Sequence, residues 1–114
     1  MRPMELYVAN VPFDEGIGQK IRPALVVKVY RHRVNVFKIT SQYRNKSAAI
    51  RRFYYPIRQW EEAGLKKKSY VDTHRTYSLP DEQIFKNKPI GRLTTLDAAN
   101  LFDFILKKQK NDRL

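Results

Sequence analysis

Arg22, Thr40, Asp72 and His74 are the residues of this chain whose types and spacing suit chemistry. An arginine is planar, stays protonated and donates two hydrogen bonds to phosphate oxygens. A hydroxyl beside it can orient a reacting oxygen, so Arg22 next to Thr40 makes a plausible phosphodiester site. Asp72 and His74 stand two positions apart, which puts them on one face of a strand. Histidine is the side-chain type that changes protonation near neutral pH, and an aspartate beside it can orient it or a water. Each also has a plain structural reading. Arg22 can pair with Glu15 or sit at a strand edge, Thr40 can simply end a strand, and His74 can be a half-buried strand residue.

Bringing Arg22 to Thr40, eighteen positions later, takes a two-stranded ribbon. Residues 18–41 read G-Q-K-I-R-P-A-L-V-V-K-V-Y-R-H-R-V-N-V-F-K-I-T-S. The apolar run from Ala24 through Val27 marks a strand buried on both faces, and Pro23 belongs near its start or on an unpaired side. Arg31, His32 and Arg33 form a basic turn. A tight turn pairs the two arms antiparallel and brings their far ends together.

Strands are predicted over 6–11, 22–30, 34–40, 50–57, 69–79 and 90–93. Between the first two, Pro12, Gly16 and Gly18 break the pattern into a loop. In the third strand Val34, Val36 and Lys38 face one way, Phe37 and Ile39 the other. In the fifth, strict alternation puts Tyr70, Asp72, His74, Thr76 and Ser78 on the more polar face. Residues 57–63 suit one or two helical turns, with Trp60 inward and Gly64 closing them, and 80–84 suit a short helical turn. Thr94 and Asp97 fit a capping box. Leu96, Ala99 or Asn100, Phe102 or Asp103, and Leu106 then step at helical spacing, and Leu101, Phe104 and Ile105 widen that face. The expected architecture is mainly β, a small barrel or sandwich with a C-terminal helix, in a single domain over 1–114.

The net charge of +12 is uneven: residues 1–60 hold 12 Lys/Arg against 3 Asp/Glu, and residues 61–114 hold 11 against 8. A cationic half interleaved with aromatics invites a polyanion. Lys20, Arg31, Arg33, Arg44, Lys46, Arg51 and Arg52 are candidates for a binding groove, with Ser41 beside Thr40. Tyr43, Phe53 and Tyr54 offer stacking faces. Lys66, Lys67 and Lys68 read as a solvated hairpin tip. No apolar run approaches the ~18 residues of a membrane span, and the first residues lack the apolar stretch of a signal peptide. The absence of cysteine fits a reducing cytoplasm. Two histidines without metal-ligand spacing, and no glycine-rich phosphate loop or serine-hydrolase elbow, mean that no metal or cofactor is expected.

K-I-R-P-A-L-V-V at 20–27, I-T-S at 39–41, G-L-K-K-K-S-Y-V-D at 64–72, H-R-T-Y-S-L at 74–79 and I-G-R-L at 90–93 come in one order, followed by a helix. This set resembles the MazF/PemK (Kid) family of toxin endoribonucleases and covers about the whole chain. The resemblance implies an SH3-like barrel, a homodimer, and metal-independent cleavage of single-stranded RNA or mRNA at short sequence motifs. It also implies an acidic antitoxin protein whose flexible tail occupies the RNA groove. By motif match, Arg22 is the catalytic arginine and Thr40 the hydroxyl of the site. Some members carry an Arg two residues before the acid of the fifth strand. Here Tyr70 stands there with Asp72 in place, so the second cation of those members has no counterpart by motif match, and Lys68 or His74 could substitute for it.

In that reading the RNA 2′-OH attacks the adjacent phosphorus and leaves a 2′,3′-cyclic phosphate and a 5′-OH. Arg22 stabilises the added charge and Thr40 orients an oxygen. The ribbon holds no competent base, so Asp72 or His74, or the RNA itself, has to move protons. Base selectivity is expected from the loops around 16–20 and 42–47. Two other classes stand open on the same barrel: a non-catalytic RNA- or protein-binding module, and a toxin that targets DNA gyrase.

Overall fold

The computed structural model describes residues 1–13 and 17–112. Glu15, the expected structural partner of Arg22, and the middle of the first loop lie outside the described residues. Six strands form one sheet: β1 (Glu5–Pro12), β2 (Gln19–Val29), β3 (Arg33–Thr40), β4 (Tyr54–Pro56), β5 (Tyr70–Pro80) and β6 (Ile84–Arg92). Their order is β4-β5-β3-β2-β1-β6, and neighbours run antiparallel. A one-turn helix α1 (Ala48–Arg51) precedes β4, a 3-10 turn (Asp81–Gln83) joins β5 to β6, and α2 (Thr95–Asp112) closes the chain. The mainly-β architecture with a C-terminal helix is the one expected. Among the described residues no helix is long and apolar enough to cross a membrane.

Alternation along β2 and β3 sorts the core into two layers. Leu25 pairs with Leu6 and with Phe37, and all three join Ile39, Val71 and Leu101 in one cluster. Val26 pairs with Val36, and both join Ala9, Val11, Val34 and Leu79 in the other. Each such side chain taken from water contributes ~1.5–3 kcal/mol, so both faces of the ribbon hold it in place. The predicted division of Val34 and Val36 from Phe37 and Ile39 is the observed one.

The last strand, expected over 90–93, starts earlier and runs Ile84–Arg92, and three further stretches differ from expectation. Within 50–57, Ser47 caps a helical turn by accepting the Ile50 N–H at 3.3 Å, so only Tyr54–Pro56 are extended. Residues 57–63 form turns without a helix, and the Gly64 N–H closes them on Glu61 O at 3.0 Å. Gly64 has φ +96, and a Cβ there would stand 2.1 Å from Ile90 O; one on Gly91 would stand 2.0 Å from Ala63 O. Two glycines therefore let the 63–64 backbone lie directly on β6.

The third difference is the buried side of α2. Leu101 is buried, and Phe104 and Ile105 pack on the same core layer. Leu96, Phe102 and Leu106 are 47%, 66% and 41% exposed. Apolar residues nearly encircle this helix, so their spacing does not select a side; hydrogen bonds of Asp97 do. The Asp97 N–H donates to Thr94 Oγ1 at 3.3 Å, as a capped first turn requires. Its carboxylate is fully buried and accepts the Tyr55 hydroxyl, the Arg58 N–H at 3.0 Å and the Gln59 N–H at 2.8 Å. A negative charge in the first turn also suits the helix dipole. Burial, and after it the bond to Asp97, pushes the pKa of the Tyr55 hydroxyl far above its usual value.

Candidate active site

The β2–β3 ladder ends on the pair Ala24 and Lys38, and just beyond it Arg22, two residues before Ala24, and Thr40, two after Lys38, both border one cleft. On its other side Arg22 pairs with Ala9 of β1. This open end of the ribbon borders a cleft of about 1340 Å³. Lys20, Arg22, Thr40, Ser41 and Lys46 line it, and Asp72 and His74 join them from β5. Among the described residues eight Lys/Arg line the cleft against one carboxylate, Asp72. A concave wall of one sign concentrates its field on whatever enters.

Arg22 is half-buried, and its Nε is buried with no hydrogen-bond partner among the described residues. A donor left so costs ~1–3 kcal/mol, which an entering oxyanion would recover. Thr40 Oγ1 accepts the Gln42 N–H at 3.0 Å, so its own proton remains to donate.

Asp72 Oδ2 lies 3.7 Å from Lys38 Nζ, with the two side chains only 10% and 12% exposed. The pair sits directly across the β3–β5 ladder. Asp72 Oδ1 accepts the backbone N–H of His74 at 3.0 Å, so the carboxylate holds His74 through its main chain. Sequence reasoning did not select Lys38 as a site residue. The signal was there: a strand repeats every two residues, so Lys38 shares the face of Thr40.

Strict alternation along β5 does not hold. Val36 pairs with Tyr77 and Lys38 with Asp72, so one residue of β3 opposes four of β5. Residues 73–76 bow away from β3, Thr73 becomes half-buried, and Arg75 is exposed beside His74. A bulge re-aims the side chains around it, and here it turns His74 and Arg75 to the cleft.

Other sequence candidates stand elsewhere. Arg31 and Arg33 lie at the closed end of the ribbon, roughly 25 Å from the open end at ~3.4 Å per residue. Arg33 donates from Nε to Ser78 Oγ at 2.9 Å and from Nη2 to Ser78 O at 2.7 Å. Arg44 borders a smaller hollow of about 640 Å³ that shares Ser41 and Gln42 with the cleft. Arg51 braces the loop between them, donating from Nε to Tyr43 O at 3.0 Å and from Nη2 to Arg44 O. Tyr43 stacks on Tyr70, ring centroids 4.6 Å apart, with the Arg51 guanidinium 4.9 Å from its centroid. Tyr54 is buried, whereas Phe53 is half-buried on the cleft wall. Lys66 and Lys67, expected as a solvated tip, are exposed but border the cleft, and Lys68 borders the smaller hollow.

Residues 2–104 match the family described as PemK-like, MazF-like toxin of type II toxin-antitoxin system. Among solved structures the chain is similar to Mycobacterium tuberculosis toxin MazF-mt6, with a TM-score of 0.65 and 23% identity over 91% of this chain and 92% of that one. Among curated proteins nothing matches. The family match runs from before β1 into α2 and takes in the whole border of the cleft, and the six-stranded sheet with its C-terminal helix is the MazF-like fold. The chain belongs to the PemK-like, MazF-like toxins of type II toxin-antitoxin systems.

Proposed function

We propose that the protein is a metal-independent endoribonuclease that cuts single-stranded RNA at short sequence motifs. The observation that carries this reading is Arg22, half-buried, its Nε without a hydrogen-bond partner among the described residues, on a cleft that eight of the described Lys and Arg line. A scissile phosphate set against Arg22 receives the donors it needs as charge builds on its oxygens. Thr40, on the same cleft, offers its hydroxyl proton to a phosphate oxygen or orients the 2′-OH. The Lys38–Asp72 pair fixes β5 against β3 and so sets where His74 meets the bound strand. Attack by the 2′-OH leaves a 2′,3′-cyclic phosphate and a 5′-OH, with the substrate supplying its own nucleophile.

As a toxin of a type II system the protein has an antitoxin partner. In this reading that partner is an acidic protein, complementary to the +12 charge, and a flexible acidic segment of it fills the cleft. The active form is a homodimer in the cytoplasm. Purified protein incubated with single-stranded RNA of varied sequence in EDTA is expected to release fragments whose ends map as 2′,3′-cyclic phosphate and 5′-OH. RNA that stays intact in the presence of folded protein sinks the reading.

A further inference from the structure

The β5 bulge builds a ledge on the cleft wall. Thr73 ties the bulge to the segment before β4: its N–H and its hydroxyl both donate to Phe53 O, at 3.0 and 2.6 Å. That fixes the His74 imidazole against the Phe53 ring, centroids 4.7 Å apart and planes inclined by 41°. The Arg52 guanidinium lies 4.6 Å from the Phe53 centroid and Lys108 Nζ 4.3 Å from it. Phe53 is half-buried and backs the ledge, while His74, Arg52 and Arg75 are exposed on the cleft.

We propose that this ledge is a nucleobase subsite, where one base of the bound RNA stacks on the His74 imidazole and turns a keto edge, that of guanine or uracil, to Arg52 and Arg75. The inference rests on the ribonuclease reading and gives it a substrate preference. Unpaired RNA bases are held by stacking on rings or guanidinium planes while their edges are read by hydrogen bonds. The edge chemistry here is one-sided. Guanidinium groups are donors only, and an Arg fork matches guanine O6 and N7. Among the described residues the one carboxylate of the wall, Asp72, is buried and already engaged by Lys38 and by the His74 N–H. The amino groups of adenine and cytosine therefore meet charged donors where they need an acceptor. This assigns His74 to recognition and not to proton transfer. Asp72 holds it by the backbone, which leaves the ring to face the base.

The test is cleavage of a random-sequence RNA pool in EDTA, with fragment ends sequenced for the wild type, His74→Ala, His74→Phe and Phe53→Ala. The wild type is expected to enrich guanine or uracil at one position near the cut. His74→Ala and Phe53→Ala are expected to reduce that enrichment roughly tenfold while preferences at other positions stand. His74→Phe, which stacks but carries no proton, is expected to restore it and to keep the shape of the pH–rate profile. His74 is exposed, so its variants report even if Phe53→Ala fails to fold. Cutting with an unchanged preference in His74→Ala overturns the subsite alone. So does loss of one limb of the pH–rate profile in His74→Phe, which would make His74 a proton carrier. A wild-type protein that cuts no RNA overturns the ribonuclease reading and the subsite with it.

Discussion

The two ends of the β2–β3 ribbon are built from the same residue types and serve different purposes. At the closed end Arg31, His32 and Arg33 are all exposed, and the guanidinium of Arg33 is spent on Ser78. At the open end Arg22 is wedged half-buried between β1 and β3, and its buried Nε has no hydrogen-bond partner among the described residues. Lys20, Lys38 and Lys46 face the same cleft. Exposed charges on a convex turn are screened by water and salt within ~10 Å. The same charges gathered on a concave wall reinforce one another. What a cation contributes is thus set by what the fold leaves it facing, and the basic turn, the densest run of charge in the ribbon, is the less telling end.

The sharpest way to break this comparison is at Arg22. Arg22→Ala is expected to lower kcat/KM for RNA cleavage by roughly 10²–10³, about 3–4 kcal/mol of transition-state stabilisation, with the fold intact by circular dichroism. Arg22→Lys should recover little, because an ammonium does not present a planar fork. Activity retained within tenfold in Arg22→Ala would take Arg22 out of the mechanism and level the two ends.

The open end also depends on a contact that the closed end lacks. Asp97, on α2, holds the N–H groups of Arg58 and Gln59, and the chain just beyond them brings Gly64, Leu65 and Lys66 to the cleft. Asp97→Asn removes the buried charge that these donors share and is expected to cost ~2–4 kcal/mol in a urea titration at unchanged m-value. The Tyr55 hydroxyl adds a pH signature. Its folded pKa is raised above the usual value near 10, so its share of stability is fully present below pH ~10 and lost as pH climbs beyond it. Melting temperature should fall more steeply above pH 10 in the wild type than in Tyr55→Phe. Parallel curves would show the hydroxyl to be out of the network.

The sequence makes some of this legible and hides the rest for physical reasons. The ribbon and its open-end pair can be read because alternation and turn chemistry are local. Once the two arms pair, Arg22 and Thr40 come to the same end of the ribbon and border one cleft. Lys38 was equally readable from its two-residue step to Thr40. The β5 bulge was not, since the four-against-one pairing arises from Thr73 binding Phe53 O, twenty residues away in sequence. Nor was the inward turn of Asp97, whose partners lie 38 to 42 residues upstream. Its position in the first turn of a helix reads as an ordinary capping acid until the tertiary contact is known. The basic turn misleads in the opposite way: a run of charge is conspicuous in sequence whether or not the fold gives it anything to bind.

At the closed end the expected effect is on stability and not on cutting. Arg33→Ala removes two exposed hydrogen bonds to Ser78 and is expected to cost about 1 kcal/mol, with cleavage rates unchanged. A loss of cleavage comparable to that of Arg22→Ala, in a variant that melts like the wild type, would place RNA at both ends of the ribbon.

The smallest expected effect distinguishes cations that meet phosphate from those that do not. Each phosphate neutralised on a single strand contributes about 0.7 to the slope of log K against log salt. Lys46 borders the cleft and Arg31 does not. In a fluorescence-anisotropy titration with single-stranded RNA, using an Arg22→Ala background to prevent cutting, Lys46→Ala is expected to flatten that slope by about 0.7. Arg31→Ala should lower affinity slightly through net charge and leave the slope alone. The two variants carry the same change in total charge, so a difference between their slopes can only come from where the charge sits. Equal slopes would mean that RNA responds to the +12 as a whole, and that the cleft gathers cations without directing them at phosphate.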